Sequence, residues 1–305
     1  MKKTFSTMTI LLSVMLWTIV PVGMNDEAQE GCTVMIAGKN TTVDGSILFV
    51  KTEDDGRNDI DFLWYIPRKT YKPGAVVKLQ PGGTIPQVEE TYAYFWDECP
   101  GTSFSNGIVN EWGVAFGSNG CSSKEDPVSE VEARGDLMNG GLGFKFRMIL
   151  AERSKTAKEA VLLAAELLDK YGYNASGRNL NIVGPNEAWQ LQMVRGKNYV
   201  ARRVQDDEVV IIANTFSIRE VDMNDKENFI CSPGLIDYAV KRGWYDPSGG
   251  EKFDFAKAYA PERAHCSPSN TRRQWNMARL LNKDFPITWE EAQTGIMPVS
   301  VKPDR

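Results

Sequence analysis

Hydrophobic and polar positions change rhythm along this chain. Over 32–37, Val34 and Ile36 alternate with smaller side chains, and over 46–51 come Ile47, Leu48, Phe49 and Val50. A Gly/Asn/Asp-rich stretch ending in Asp44-Gly45 joins the two runs. Period-two patterning around such a turn predicts a β-hairpin, with Cys32 at the start of one strand and Asp54 just beyond the end of the other. Pro67, Pro73, Pro81, Gly82, Gly83 and Pro86 then mark a loop-rich region, before strand-like composition returns over 91–96 and 107–117. From 136 to 171 the period lengthens. Leu150, Ala157, Ala160, Val161, Ala164, Leu167 and Leu168 recur at helical spacing against the polar Glu159, Glu166, Asp169 and Lys170, which predicts two helices broken near 154–156. Short strands are expected over 181–183, 188–194, 199–204 and 209–213, and a last helix over 271–281. Strands, then helices, then strands is the α+β pattern of sheets with helices kept to their outer faces. No internal repeat, low-complexity tract or domain linker interrupts it.

Ahead of the hairpin, Lys2 and Lys3 precede an apolar run over 8–20 broken only by Thr9, Ser13 and Thr18, the order of a secretory signal peptide. Spanning a bilayer as a helix takes about 20 residues, so a removed leader is expected rather than a stable membrane span, and the protein is expected to be exported. The expected organisation is a signal peptide over 1–23, a short propeptide or remainder of the leader over 24–31, and one domain over 32–305. With 305 residues, 42% hydrophobic and 25% charged, the chain can bury a sizeable core. A net charge of -5 without any basic block argues against nucleic acid as a partner. The five cysteines, Cys32, Cys99, Cys121, Cys231 and Cys266, include no CxxC pair for zinc or redox work. Export permits disulfides, and the odd count leaves one thiol over. Four cysteines besides Cys32 allow three pairings, among which sequence does not choose.

Chemistry follows by elimination. The single histidine, His265, rules out zinc sites built on several histidines and leaves a Ser-His or Cys-His hydrolase only one candidate base. Its neighbour Cys266 is adjacent in sequence, which seldom gives the geometry of nucleophile and base, so His265 reads as a surface or loop residue. There is no GxSxG elbow, no P-loop and no GxGxxG after a strand. The acidic pairs Asp54-Asp55, Asp206-Asp207 and Glu290-Glu291 read as solvated turns. One base remains, the α-amino group of a newly exposed N-terminus, whose ordinary pKa near 8 suits proton abstraction. A cut after Gly31 makes Cys32 residue one, carrying thiol and base together. Two other readings stand beside this one: a lipoprotein cysteine, although Asp26, Glu27, Gln29 and Glu30 separate it from the apolar run, and a half-cystine or buried strand residue.

The motifs Cys32-Thr33-Val34-Met35-Ile36-Ala37-Gly38-Lys39, Asp44-Gly45-Ser46 and Lys51-Thr52-Glu53-Asp54 resemble the mature N-terminus of the dipeptidase A family of cysteine dipeptidases. These are N-terminal nucleophile (Ntn) hydrolases related to penicillin V acylase and bile salt hydrolase. Asn110-Glu111-Trp112-Gly113, Lys155-Thr156-Ala157, Glu187-Ala188-Trp189, Ala213-Asn214 and Asn270-Thr271-Arg272-Arg273-Gln274-Trp275 match further family segments in order. The resemblance runs from Cys32 to the end of the chain and implies a four-layer αββα sandwich. It makes Cys32 the nucleophile with its own amine as base, Asp54 the acid beside them, Asn214 the oxyanion-hole asparagine, Asn119 a second oxyanion contact through its backbone N–H, and Arg273, rather than Arg272, the active-site arginine. Lys51 stands where many relatives carry arginine, keeping charge and losing the planar fork. The implied substrate is a dipeptide or other small amide, with no metal or organic cofactor. An N-acyl amide hydrolase of the same fold and a non-catalytic lipoprotein or binding domain remain alternatives. A homo-oligomer, and a C-terminus truncated relative to the family, are left open.

Overall fold

The computed structural model describes residues 31–54, 60–79, 82–99, 104–124 and 126–304. The expected leader and propeptide therefore lie outside the described residues, apart from Gly31. In chain order the strands begin with β1 (Gly31–Ala37), β2 (Leu48–Asp54) and β3 (Phe62–Ile66), followed by two small ribbons. In these β4 (Lys69–Thr70) pairs with β7 (Glu90–Thr91), and β5 (Val76–Lys78) with β6 (Thr84–Pro86). Then come β8 (Tyr94–Cys99), β9 (Phe104–Asn110) and β10 (Ala115–Gly120), and the helices α1 (Val128–Ala133), α2 (Phe146–Arg153) and α3 (Ala157–Tyr171). Four strands follow, β11 (Arg178–Val183), β12 (Ala188–Met193), β13 (Tyr199–Arg203) and β14 (Val209–Ile212), and then β15 (Phe229–Cys231). The chain closes with α4 (Leu235–Lys241), α5 (Phe255–Tyr259), α6 (Glu262–His265), α7 (Pro268–Leu281), α8 (Trp289–Thr294) and β16 (Ser300–Val301).

Two antiparallel sheets form the middle of the molecule, one ordered β16-β14-β1-β2 and the other β15-β13-β12-β11-β10-β9-β8-β3. They face each other through Val34, Ile36, Val210 and Ile212 on one side and Val183 and Ala188 on the other, with Val204 beside them. Helices α2 and α3 cover the outer face of the larger sheet, burying Leu150, Val161, Leu168, Phe116, Leu180 and Trp189 in one cluster. Each such aliphatic side chain contributes about 1.5–3 kcal/mol relative to exposure. Helix α7 covers the smaller sheet through Ala278 against Ile211 and Val301. Helix, sheet, sheet, helix is the expected four-layer α+β sandwich. Among the described residues no helix is long and apolar enough to cross a membrane.

Local chemistry explains the boundaries. Thr156 caps α3 by accepting the Glu159 N–H at 3.1 Å. The helix stops at Gly172, whose φ of 69° suits glycine, and whose missing Cβ would otherwise stand 1.8 Å from the Asp136 carbonyl oxygen. Several expectations need correction. β3 occupies residues given to the loop-rich region, since five consecutive exposed residues carry no alternation of burial to read. The span 107–117 is two strands, because Glu111, Trp112 and Gly113 turn the chain between β9 and β10. β2 runs through Asp54 rather than ending before it.

Candidate active site

Strand register builds the site. In the β1–β2 pair Cys32 lies opposite Glu53, and Val34 opposite Lys51. Cys32, Val34 and Ile36 alternate onto the face between the sheets, and Phe49, Lys51 and Glu53 do the same on β2. The Cys32 thiol donates to Glu53 Oε1 at 3.0 Å. The other carboxylate oxygen, Oε2, accepts from the Lys51 ammonium, whose side chain is only 8% exposed. The Cys32 amide N–H, still part of the peptide bond to Gly31, donates to Asn214 Oδ1 at 2.9 Å. Its carbonyl oxygen accepts from Arg273 Nη1 at 2.6 Å. Thiol, amide and carbonyl of one residue are thus each held by a different side chain.

Arg273 is the hub. From α7 its guanidinium also donates to Thr33 Oγ1 at 3.0 Å, Asn214 Oδ1 at 2.9 Å and Asn270 Oδ1 at 2.9 Å, while Nε donates to the Ser269 carbonyl at 3.0 Å. A planar five-donor group is what such convergence requires, and a lysine cannot supply it. Asn270, one helical turn earlier, accepts the Asn214 backbone N–H at 3.2 Å and donates to the Asn214 and Ala264 carbonyls. Asn214 follows the end of β14, where the chain leaves its ladder. Buried amides from the larger sheet take over there: Asn119 Nδ2 donates to the Ile212 and Ala213 carbonyls, Asn179 Nδ2 to Thr215 at 3.0 Å, and Gln192 Oε1 accepts from Ser217 and Ile218 N–H. Side chains replace the missing strand partner and hold Asn214 in place.

Burial first, then the hydrogen bond to Glu53 and its charge, push the Cys32 thiol up to about 11. In the uncut chain the thiol is therefore protonated at neutral pH. On the Asn214 and Arg273 side of the network opens a cleft of about 260 Å³, lined also by Ser122, Arg263, Ser267 and Asn270 among others. Among the described residues no three His, Cys, Asp or Glu side chains group as metal ligands.

The structure brings together Cys32, Asn214 and Arg273, while Arg272 points to solvent. The backbone of Asp54 pairs with Gly31, and its side chain lies outside the described residues. The Asn119 side chain is fully buried between the sheets on backbone carbonyls. Glu53, Thr33 and Asn270 went unassigned in the sequence. Continuing the alternation of Phe49 through Lys51 would have marked Glu53. His265 is a correction: it is buried, not on the surface, with its ring bonded to Thr215 Oγ1 at 3.3 Å and the Ala256 carbonyl at 2.9 Å. Cys121, Cys231 and Cys266 are not in disulfides, so the four non-nucleophilic cysteines do not form two bridges.

A family profile matches this chain over residues 31–305, beginning one residue before the cysteine at the centre of this network. The chain belongs to peptidase family C69. Curated relatives of this C69 member include a probable dipeptidase B from Streptococcus pyogenes serotype M1, 28% identical over 267 residues that make up 86% of this chain and 52% of that protein. A probable dipeptidase from Latilactobacillus sakei is 28% identical over 286 residues, 90% of this chain and 58% of the relative. The chain thus spans about half the length of the curated relatives it matches. Among solved structures, penicillin V acylase from Agrobacterium tumefaciens aligns with a TM-score of 0.36 at 15% identity, over 56% of this chain and 49% of that one.

Proposed function

We propose that this C69 protein is an exported cysteine dipeptidase in which Cys32, freed as the N-terminal residue by a cut after Gly31, attacks the peptide bond of a short peptide. The observation that carries this reading is the grip on Cys32, whose main-chain nitrogen lies 2.9 Å from Asn214 Oδ1 while its thiol sits in the same network. Once freed, that nitrogen is an amine with an ordinary pKa near 8, and Asn214 would orient its lone pair toward the thiol. The amine would take the thiol proton as sulfur attacks the substrate carbonyl, and would return it to the departing amine of the substrate. Water activated by the same amine would then release the acyl group. The Asn214 amide, which in the uncut chain donates to the Gly120 carbonyl at 2.9 Å, would donate to the developing oxyanion. Arg273 would fix the nucleophile from its carbonyl side and present positive charge to the cleft. The names of the curated relatives support a dipeptide as substrate, and the apolar run over 8–20 behind two lysines supports export.

Intact-mass and N-terminal analysis of the exported protein tests the reading, with a chain beginning at Cys32 expected. A diacylglyceryl adduct on Cys32, or a terminus far from it, overturns the mechanism. A dipeptide panel run beside penicillin V and glycocholate tests the substrate. Turnover of the acyl amides alone would make the protein an acylase.

A further inference from the structure

The amine base does not exist until the bond after Gly31 is broken, so that first cut needs a different base. We propose that Glu53 is this base: while the chain is still joined, its carboxylate takes the Cys32 thiol proton and the chain cleaves itself between Gly31 and Cys32. This rests on the reading of Cys32 as an N-terminal nucleophile.

Geometry selects Glu53. Its Oε1 is the acceptor of the thiol at 3.0 Å, and Lys51 holds Oε2, which fixes the carboxylate's orientation and leaves the first oxygen for the thiol. Among the described residues the other polar groups at Cys32 are unsuited to accept a proton, since Asn214 is a neutral amide and Arg273 stays charged. His265 is bound to Thr215 and Ala256. Among the described residues the charged groups around Cys32 are Glu53 and Lys51 from β2, Arg273 from α7, which bonds its carbonyl oxygen, and Arg178 at the start of β11, which couples to the thiol electrostatically. A thiol raised to about 11 is not ionised beforehand, so proton transfer to Glu53 accompanies attack.

The step balances within the chain and one water. The sulfur lone pair forms the S–C bond to the Gly31 carbonyl carbon, and the carbonyl π pair moves to oxygen. As the oxyanion collapses, the C–N bond to Cys32 breaks and nitrogen takes the proton from Glu53. A thioester and a free α-amine result. Water then adds to the thioester, releasing the Gly31 carboxylate and restoring the thiol.

Gly31 itself is an independent sign that the groups around this bond are set. A Cβ there would stand 2.9 Å from both Arg273 Nη2 and Asn214 Oδ1. The arginine is too heavily hydrogen-bonded to move without loosening Cys32. Gly31→Ala should therefore slow the cut.

The full chain made in a purified, protease-free translation mixture, followed by intact mass between pH 5 and 9, tests the proposal. Wild type should shorten to a chain beginning at Cys32, and Cys32→Ala should stay whole. Glu53→Gln should slow cleavage on the order of 10²-fold or more. Its residual rate should climb about tenfold per pH unit, as expected for an unassisted thiolate, whereas the wild-type rate is nearly level near neutrality. Glu53→Asp should recover part of the rate and the level profile, which a merely structural role would not predict, and circular dichroism confirms that the variants are folded. Cleavage of Glu53→Gln at the wild-type rate and with the wild-type pH profile overturns the role of Glu53 while leaving the N-terminal cysteine reading intact. Equal cutting of Cys32→Ala, or a wild type that stays whole, overturns self-cleavage. Failure of the enzyme reading looks different: a chain that begins at Cys32 and hydrolyses no dipeptide.

Discussion

Cys32 and Cys266 each lie beside a titratable group, and they came to do so in opposite ways. His265 and Cys266 are consecutive residues at the end of α6, while Cys32 and Glu53 are 21 positions apart. In the consecutive pair neither nitrogen of the ring bonds the thiol. On a helix, neighbours point about 100° apart, and the imidazole spends its two nitrogens on Thr215 and Ala256. The distant pair meets because antiparallel register puts the two residues opposite each other with side chains on one face. The contact between Cys32 and Glu53 is thus made by pairing across a sheet, and proximity along the chain is a poor guide to such contacts.

The comparison breaks most sharply at the two thiols. Cys32→Ala should lower kcat for a dipeptide by at least about 10⁴-fold, whereas Cys266→Ala should alter it by no more than about twofold, the scale of a 0.5 kcal/mol perturbation. A large loss in the second variant would restore the adjacent pair as a candidate site. Next comes Arg273→Met, which removes the hub around Cys32 and leaves the Asn214 and Asn270 oxygens short of donors. A fall in kcat of about 10²-fold is expected from misplacement of the nucleophile, with about 2–3 kcal/mol of stability lost in urea unfolding. Arg273→Lys should recover only part of either.

Smaller effects sharpen the histidine half of the comparison. Burial holds the His265 imidazole below its ordinary value, so the native state favours the neutral ring. The unfolded chain takes up the proton first as pH falls, so the stability contributed by this group is present above about pH 6.5 and is lost on acidification below it. His265→Gln should cost about 1–2 kcal/mol at neutral pH through the altered hydrogen bonds, flatten that acid slope in thermal unfolding, and leave kcat close to wild type. A collapse of kcat would make the ring catalytic. The smallest effect belongs to Arg272→Ala, an exposed change next to the hub, expected within about 0.5 kcal/mol in stability. A defect approaching that of Arg273→Met would mean that the helix had been read one residue out of register.

Much of the scaffold could be read in the chain because its patterns are strong. Helices α2 and α3 and their break at 154–156 follow from a long apolar stripe and the Thr156 cap, and β11 to β14 from short buried runs between turns. The failures occur where period and burial part company. β3 is apolar yet exposed throughout, and β2 turns polar at Lys51 and Glu53 while still facing inward. A rule that equates inward with hydrophobic ends β2 too early and passes over Glu53, which faces the Cys32 thiol. His265 was misjudged for the converse reason, a polar ring buried because tertiary partners satisfy it.

The sequence by itself determined the hairpin carrying Cys32, the order of helices and strands along the chain, and, through one histidine and five cysteines, the chemistries open to the chain. Those properties depend on local propensity, periodicity and residue inventory, all of which lie along the chain. Only the tertiary structure decided that Glu53 meets the thiol, that Arg273 grips Cys32 by its carbonyl oxygen, and that His265 takes no part in that network. Hydrogen bonds reach about 3 Å, and which groups come that close is settled by strand register and helix rotation, not by the spacing of residues in the sequence.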